Sequence, residues 1–118
     1  MKKKFVYIAL AALATVMVVY SCSTNSAVKP TPMGPTASVN IQGFAFAPDT
    51  VTIKAGGTIT WTNQDSAPHT VTELASLFNS GSMATSQTFK YTFNTPGTFT
   101  YHCLIHAMMK SGVVIVSN

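Results

Sequence analysis

From Phe89 to Cys103 the apolar side chains fall on every second residue: Phe89, Tyr91, Phe93, then Phe99, Tyr101, Cys103, with Asn94-Thr95-Pro96-Gly97 between the two sets. A side chain returns to the same direction every second residue only in a strand, whereas a helix returns every 3.6. The stretch therefore predicts two strands joined by a turn, each with one apolar face. The same reading extends backwards. Val39 and Ile41 alternate with polar neighbours and Phe44 and Phe46 follow; Val51 and Ile53 lead to the turn signal Gly56-Gly57; Ile59 and Trp61 come next, and Val71 lies in a short segment after His69. Val113 to Val116, after Gly112, form a last apolar strand. Only Glu73 to Thr85 breaks the rhythm, and it predicts a short helix or a long loop. The expected fold is an all-β sandwich or barrel. Residues 37–118, 82 in number, suffice for one small domain with one core.

The first residues read differently. Lys2, Lys3 and Lys4 precede a 16-residue apolar run, Phe5 to Tyr20, which is short for a membrane span of about 20 residues. A basic start followed by such a run is the pattern of a secretory signal. The run ends in Val19-Tyr20-Ser21-Cys22, which is similar to a bacterial lipobox, so residues 1–21 are expected to be a lipoprotein-type signal peptide and Cys22 the lipidated residue. An uncleaved N-terminal anchor is the competing reading. Residues 22–36, with Pro30, Pro32, Pro35 and Gly34, read as a semi-extended tether. Beyond the signal, Lys29, Lys54, Lys90 and Lys110 face Asp49, Asp65 and Glu73, a net charge of +1 without arginine. The basic footprint of a nucleic-acid binder is absent. If Cys22 is acylated, Cys103 has no partner for a disulfide, and a lone thiol in an oxidising compartment is a liability unless something occupies it.

Tyr101-His-Cys-Leu-Ile-His-Ala-Met-Met109 gathers a cysteine, two histidines and two methionines into nine residues. Parity places Cys103 on the inward face with Tyr101, and His102 on the other face. His106 and Met109 follow Cys103 at +3 and +6 on the turn before the last strand. The remaining histidine, His69, sits at a loop-to-strand junction just after Pro68. His69, Cys103, His106 and Met109 would supply two imidazoles, a thiolate and a weak thioether, the donor set of blue-copper electron-transfer sites. Zinc would accept the first three and gain little from the thioether. Met108 competes with Met109 for the axial position.

Gly56-Gly-Thr-Ile-Thr-Trp-Thr-Asn63, the Pro68-His69 junction, Pro96-Gly-Thr-Phe-Thr-Tyr-His-Cys103 and the loop from Cys103 to Met109 together resemble the cupredoxins, in their plastocyanin/amicyanin-like branch. The resemblance covers essentially all of residues 37–118, and the short loop is similar to that of amicyanins. It implies a Greek-key β-sandwich or barrel, one copper cycling between Cu(I) and Cu(II), and ligands His69, Cys103, His106 and Met109, with Met108 turned outward. Family members commonly carry Asn directly after the first histidine, where it links the two ligand loops by hydrogen bonds. Thr70 stands there in this chain, a departure that bears on that link and on the reduction potential.

The resemblance further implies an electron carrier without turnover of its own. Multicopper oxidase or nitrite reductase chemistry needs more histidines than His102 alone. A copper buffer or delivery protein is the alternative function, and a copper-free interaction sandwich a third. His106 would reach the surface amid Leu104, Ile105, Ala107 and Met108, an apolar surround suited to brief docking of redox proteins of the cell envelope. The expected molecule is a monomer, exported and held to a bacterial envelope membrane through Cys22.

Overall fold

The computed structural model describes residues 35–118; the expected signal peptide 1–21, Cys22 and the expected tether as far as residue 34 lie outside the described residues. Eight strands follow in order: β1 (Thr36–Ile41), β2 (Phe46–Ala47), β3 (Thr50–Lys54), β4 (Gly57–Asn63), β5 (Thr72–Glu73), β6 (Thr88–Phe93), β7 (Gly97–His102) and β8 (Gly112–Ser117). They form two four-stranded sheets, β2-β1-β4-β6 and β3-β8-β7-β5. β1 runs parallel to β4 and β3 parallel to β8, while the other pairs are antiparallel. The chain crosses between sheets five times from β1 to β7, which is how so short a domain closes a sandwich.

Alternation explains the core. In β4 the residues Gly57, Ile59, Trp61 and Asn63 are buried and those between are half-exposed. Trp61 is fully buried, with the rings of Tyr101, Phe78, Phe89 and Phe93 at 5.3, 5.7, 5.8 and 6.5 Å. Pairs of this kind contribute about 0.5–1.5 kcal/mol each beyond the area they bury. They also explain the segment from Glu73 to Thr85, which after the end of β5 at Glu73 is a long loop without a helix. Phe78 is 5% exposed, packs at 4.6 Å against Tyr91, and fastens the loop to the core. Met83 fastens its other end, at 2% exposure.

Two local expectations are corrected. Phe44 lies on no strand. It occupies the turn between β1 and β2, closed by hydrogen bonds in both directions between Gln42 and Ala45, and is half-exposed. Gly43 and Phe44 have φ of 61° and 57°, the left-handed pair that a two-residue hairpin turn needs to match strand twist. The turn thus consumes the residue that alternation had assigned to a strand face. Val71 is fully buried but precedes β5, because its N–H is taken by the Ser80 hydroxyl rather than by a neighbouring strand.

Tyr101, on β7, is fully buried and its hydroxyl has no hydrogen-bond partner among the described residues. Burial pushes its pKa up from 10.0 to about 12. Folding therefore favours the protonated phenol. Stability owes nothing to this well below pH 10, and it declines by about 2 kcal/mol as the pH rises from 10 to 12. Chemical denaturation of the parent and Tyr101→Phe across that range should show the decline only in the parent.

Candidate metal centre

The centre forms at the end of the sandwich where β7 gives way to the loop leading to β8. Cys103 is the first residue past β7, buried at 2% exposure by the parity that buries Tyr101. His106 is half-buried. The Met109 N–H donates to the His106 carbonyl (3.0 Å), a tight turn that brings Met109 inward at 8% exposure and leaves Met108 98% exposed. Leu104, Ile105 and Ala107 are exposed around them.

His69 comes from the connection between β4 of one sheet and β5 of the other. Its loop is organised by the buried Asn63 at the end of β4, whose side-chain amide donates to the carbonyls of Ala67 and Met83, both at 2.9 Å. The Asn63 side-chain oxygen accepts the Asp65 N–H (2.9 Å). His69 and Met83 exchange two backbone hydrogen bonds, at 3.1 and 2.8 Å, so the His69 backbone is fixed from both sides. Its ring is fully buried.

Three Lewis-basic atoms converge. Cys103 Sγ lies 3.7 Å from His69 Nδ1 and 3.7 Å from His106 Nδ1, and the two nitrogens are 3.1 Å apart. Metal bonds of about 2.0–2.1 Å to imidazole and about 2.3 Å to thiolate require this spacing if the three donors surround one ion at angles of roughly 100–120°. The donors fit a single soft or borderline metal ion. His69, Cys103 and His106 are the histidine–cysteine group that could hold one, with Met109 buried on the same loop. His102 is not in the group. It pairs with Thr72 of β5, and its Nδ1 is buried without a hydrogen-bond partner among the described residues.

Thr70 supplies the link between the ligand loops. Its N–H donates to Cys103 Sγ (3.3 Å) and its hydroxyl accepts the Leu104 N–H (2.8 Å). That hydroxyl lies 3.2 Å from the Thr72 hydroxyl, which in turn reaches Asn79 Oδ1 at 3.1 Å. The residue that departs from the family pattern thus ties the loop of His69 to the loop of Cys103 on both sides of the sulfur.

Two residues of the site escaped the sequence reading. Asp65 accepts the N–H groups of Gly43 (2.7 Å) and Phe44 (2.9 Å), and its Oδ2 lies 2.8 Å from His69 Nε2. The Phe44 and Gly43 N–H groups, with His69, hold its carboxyl below the usual carboxylate range against the effect of burial. Phe44 stands edge-on to both imidazoles, at 5.3 Å from His69 and 5.0 Å from His106. With Ile105, His106, Ala107, Met108 and Met109 it lines an open, mainly apolar depression. A carboxylate four residues before His69, in a domain with three acids, was the available signal for Asp65. For Phe44 it was the Gly-Phe pair at a strand junction.

The family model for the cupredoxin-like domain matches residues 9–116. Amicyanin-alpha of Methylorubrum extorquens is 37% identical over 99 residues, spanning 75% of this chain and 78% of the relative. Among solved structures, a purple cupredoxin from Nitrosopumilus maritimus superposes with a TM-score of 0.64 at 30% identity, over 69% of this chain and 99% of that one. A methionine-to-glutamine variant of amicyanin in its Cu(I) form gives a TM-score of 0.65 at 29% identity, over 70% and 82%. With a family match over nearly its whole length and a cluster of two imidazoles and a cysteine sulfur at the end of its sandwich, the chain belongs to the cupredoxin family.

Proposed function

We propose that this cupredoxin is a mononuclear blue copper electron carrier, with His69, Cys103, His106 and Met109 as ligands and no substrate turnover of its own. The observation that carries the reading is the convergence of His69 Nδ1, Cys103 Sγ and His106 Nδ1 within 3.1–3.7 Å of one another. Copper bound there supplies one-electron chemistry between Cu(I) and Cu(II). The chain's own part is to keep the donors still. Backbone hydrogen bonds hold His69, Thr70 fixes the sulfur, and the His106–Met109 turn brings a thioether inward. A site whose donors do not have to move suits outer-sphere transfer in both directions. The same closure favours retention of the metal over delivery, since His69 and Cys103 are nearly inaccessible.

Exposed Leu104, Ile105, Ala107 and Met108 surround half-buried His106, which makes that edge the route by which an electron leaves. A small apolar patch of this kind suits short-lived docking of envelope redox proteins. The lipobox-like Ser21-Cys22 supports export and a lipid anchor, with the tether giving reach to a monomeric domain. Cys22→Ala should then change the mass of the processed chain and release it from the membrane fraction.

Titrating the purified domain with Cu(II) should give one copper per chain and an intense visible thiolate-to-copper band. Met109→Gln is expected to shift the band and the reduction potential. Met108→Lys should leave both nearly unchanged and slow the bimolecular electron-transfer rate, because its side chain is 98% exposed. If Met108→Lys moves the potential and Met109→Gln does not, the two roles are exchanged.

A further inference from the structure

We propose that Asp65 is a positioning residue of the copper centre, which locks the His69 ring in one tautomer and with the same carboxylate pins Phe44 against both imidazoles, so that the charge at residue 65 lowers the reduction potential. The inference rests on the copper reading above and deepens it.

Three donors meet this one side chain. Oδ1 accepts the Gly43 N–H at 2.7 Å, and Oδ2 accepts the Phe44 N–H at 2.9 Å and faces His69 Nε2 at 2.8 Å. An ionised carboxylate only accepts, so Nε2 must carry the proton. In the neutral ring that leaves Nδ1 with its lone pair, and Nδ1 is the atom that faces Cys103 Sγ and His106 Nδ1. A carboxylate hydrogen-bonded to the outer nitrogen of a metal-bound imidazole makes the ring a stronger donor. It also places negative charge where it favours Cu(II), the more highly charged state, over Cu(I).

The second contact has a cost that the carboxylate offsets. Phe44 is a bulky residue in left-handed backbone at φ 57°, a conformation that side chains of its size rarely adopt. Its N–H and that of Gly43, also left-handed, both end on Asp65. Charge-assisted hydrogen bonds are about twice as strong as neutral ones and so can hold a turn that the residue itself disfavours. What the turn secures is the Phe44 ring, 5.3 Å from His69 and 5.0 Å from His106. The hairpin between β1 and β2, distant in sequence from either ligand loop, thereby becomes a wall of the metal site through a single side chain.

Asp65→Asn tests this with minimal change of shape. The amide keeps one acceptor oxygen, loses the charge, and cannot satisfy all three donors. In nitrogen-labelled protein free of metal, the wild-type His69 Nε2–H should be observable and slow to exchange. In Asp65→Asn it should exchange about tenfold faster, the loss expected for one charge-assisted hydrogen bond. With copper bound, voltammetry should give a more positive potential for Asp65→Asn than for the parent. Phe44→Leu, which leaves the carboxylate in place, should retain slow exchange. An unobservable or rapidly exchanging His69 Nε2–H in the wild type overturns the proposal, and does so even if Asp65→Asn fails to fold. Faster exchange without a change in potential reduces Asp65 to a structural clamp and overturns the tuning. A wild type that binds no copper would sink the copper reading, while the metal-free exchange measurement would still decide the clamp.

Discussion

A Cys103→Ser protein is expected to stay colourless when Cu(II) is added, whereas His102→Ala should keep the visible band of the parent. The band depends on a thiolate donating charge to copper, and a serine hydroxyl is neither ionised at neutral pH nor a soft donor. The described residues offer no substitute thiol. Among the described residues Cys103 is the sole cysteine, and Met109 contributes at most a weak thioether. The substitution is otherwise mild. Serine is smaller than cysteine, and the position can keep the Thr70 N–H as a donor to its hydroxyl. The metal-free fold should therefore survive with a loss of about 1–2 kcal/mol, within the ordinary range for a buried substitution. His102 serves as the control because it sits next to Cys103 in sequence but outside the donor group. Absorption and copper stoichiometry on both variants decide the matter. A coloured Cys103→Ser protein would remove the thiolate from the site.

The contrast between neighbours shows what was legible in the sequence. His102 and Cys103 were separated by parity alone, since β7 alternates and its inward face is marked by Phe99 and Tyr101. The strands and the turn at Gly56-Gly57 were readable in the same way. Each follows from local periodicity or from spacing along one segment. Asp65 and Phe44 were only faintly marked, because the hydrogen bonds that join them link residues 21 and 22 positions apart. Alternation placed Phe44 on a strand, and nothing local announced that a carboxylate would stabilise it in a left-handed turn. Thr70 is the intermediate case. Its departure from the family pattern was visible, but only the packed loops show a threonine hydroxyl reaching Leu104 while its N–H reaches the sulfur. The course of residues 73–85 was equally hidden, being set by where Phe78 and Met83 find room in the core rather than by any repeat of their own.

Gly112→Ala is expected to be the most destabilising single methyl addition near the copper end of the sandwich. Gly112 opens β8 directly opposite Tyr101 of β7. A Cβ at residue 112 would stand 2.6 Å from Tyr101 Cε2 and nearer still to Cζ and the hydroxyl oxygen, far inside van der Waals contact. The ring has no room to retreat. It is fully buried, with Phe46 at 4.8 Å and Trp61 at 5.3 Å on its other sides. Relief requires either a shift of β8 or a displaced Tyr101, and both disturb the strand end that carries Cys103. Overpacking in a dense core costs about 1–3 kcal/mol and sometimes more. With no flexible neighbour to absorb it, a loss of about 3 kcal/mol or more is expected, which lowers Tm by about 12–24 °C in a domain of this size. Tyr101→Phe should not rescue the variant, because the ring atoms stay where they are. Tyr101→Leu should recover part of the loss by vacating the space the ring occupied. Thermal unfolding of the metal-free proteins tests the ordering, and the copper band of each reports whether the strand end has moved. A Gly112→Ala protein that melts within a few degrees of the parent would mean that β7 and β8 can separate at no cost, and the register that places the thiolate would then have to be held by something other than the Tyr101 ring.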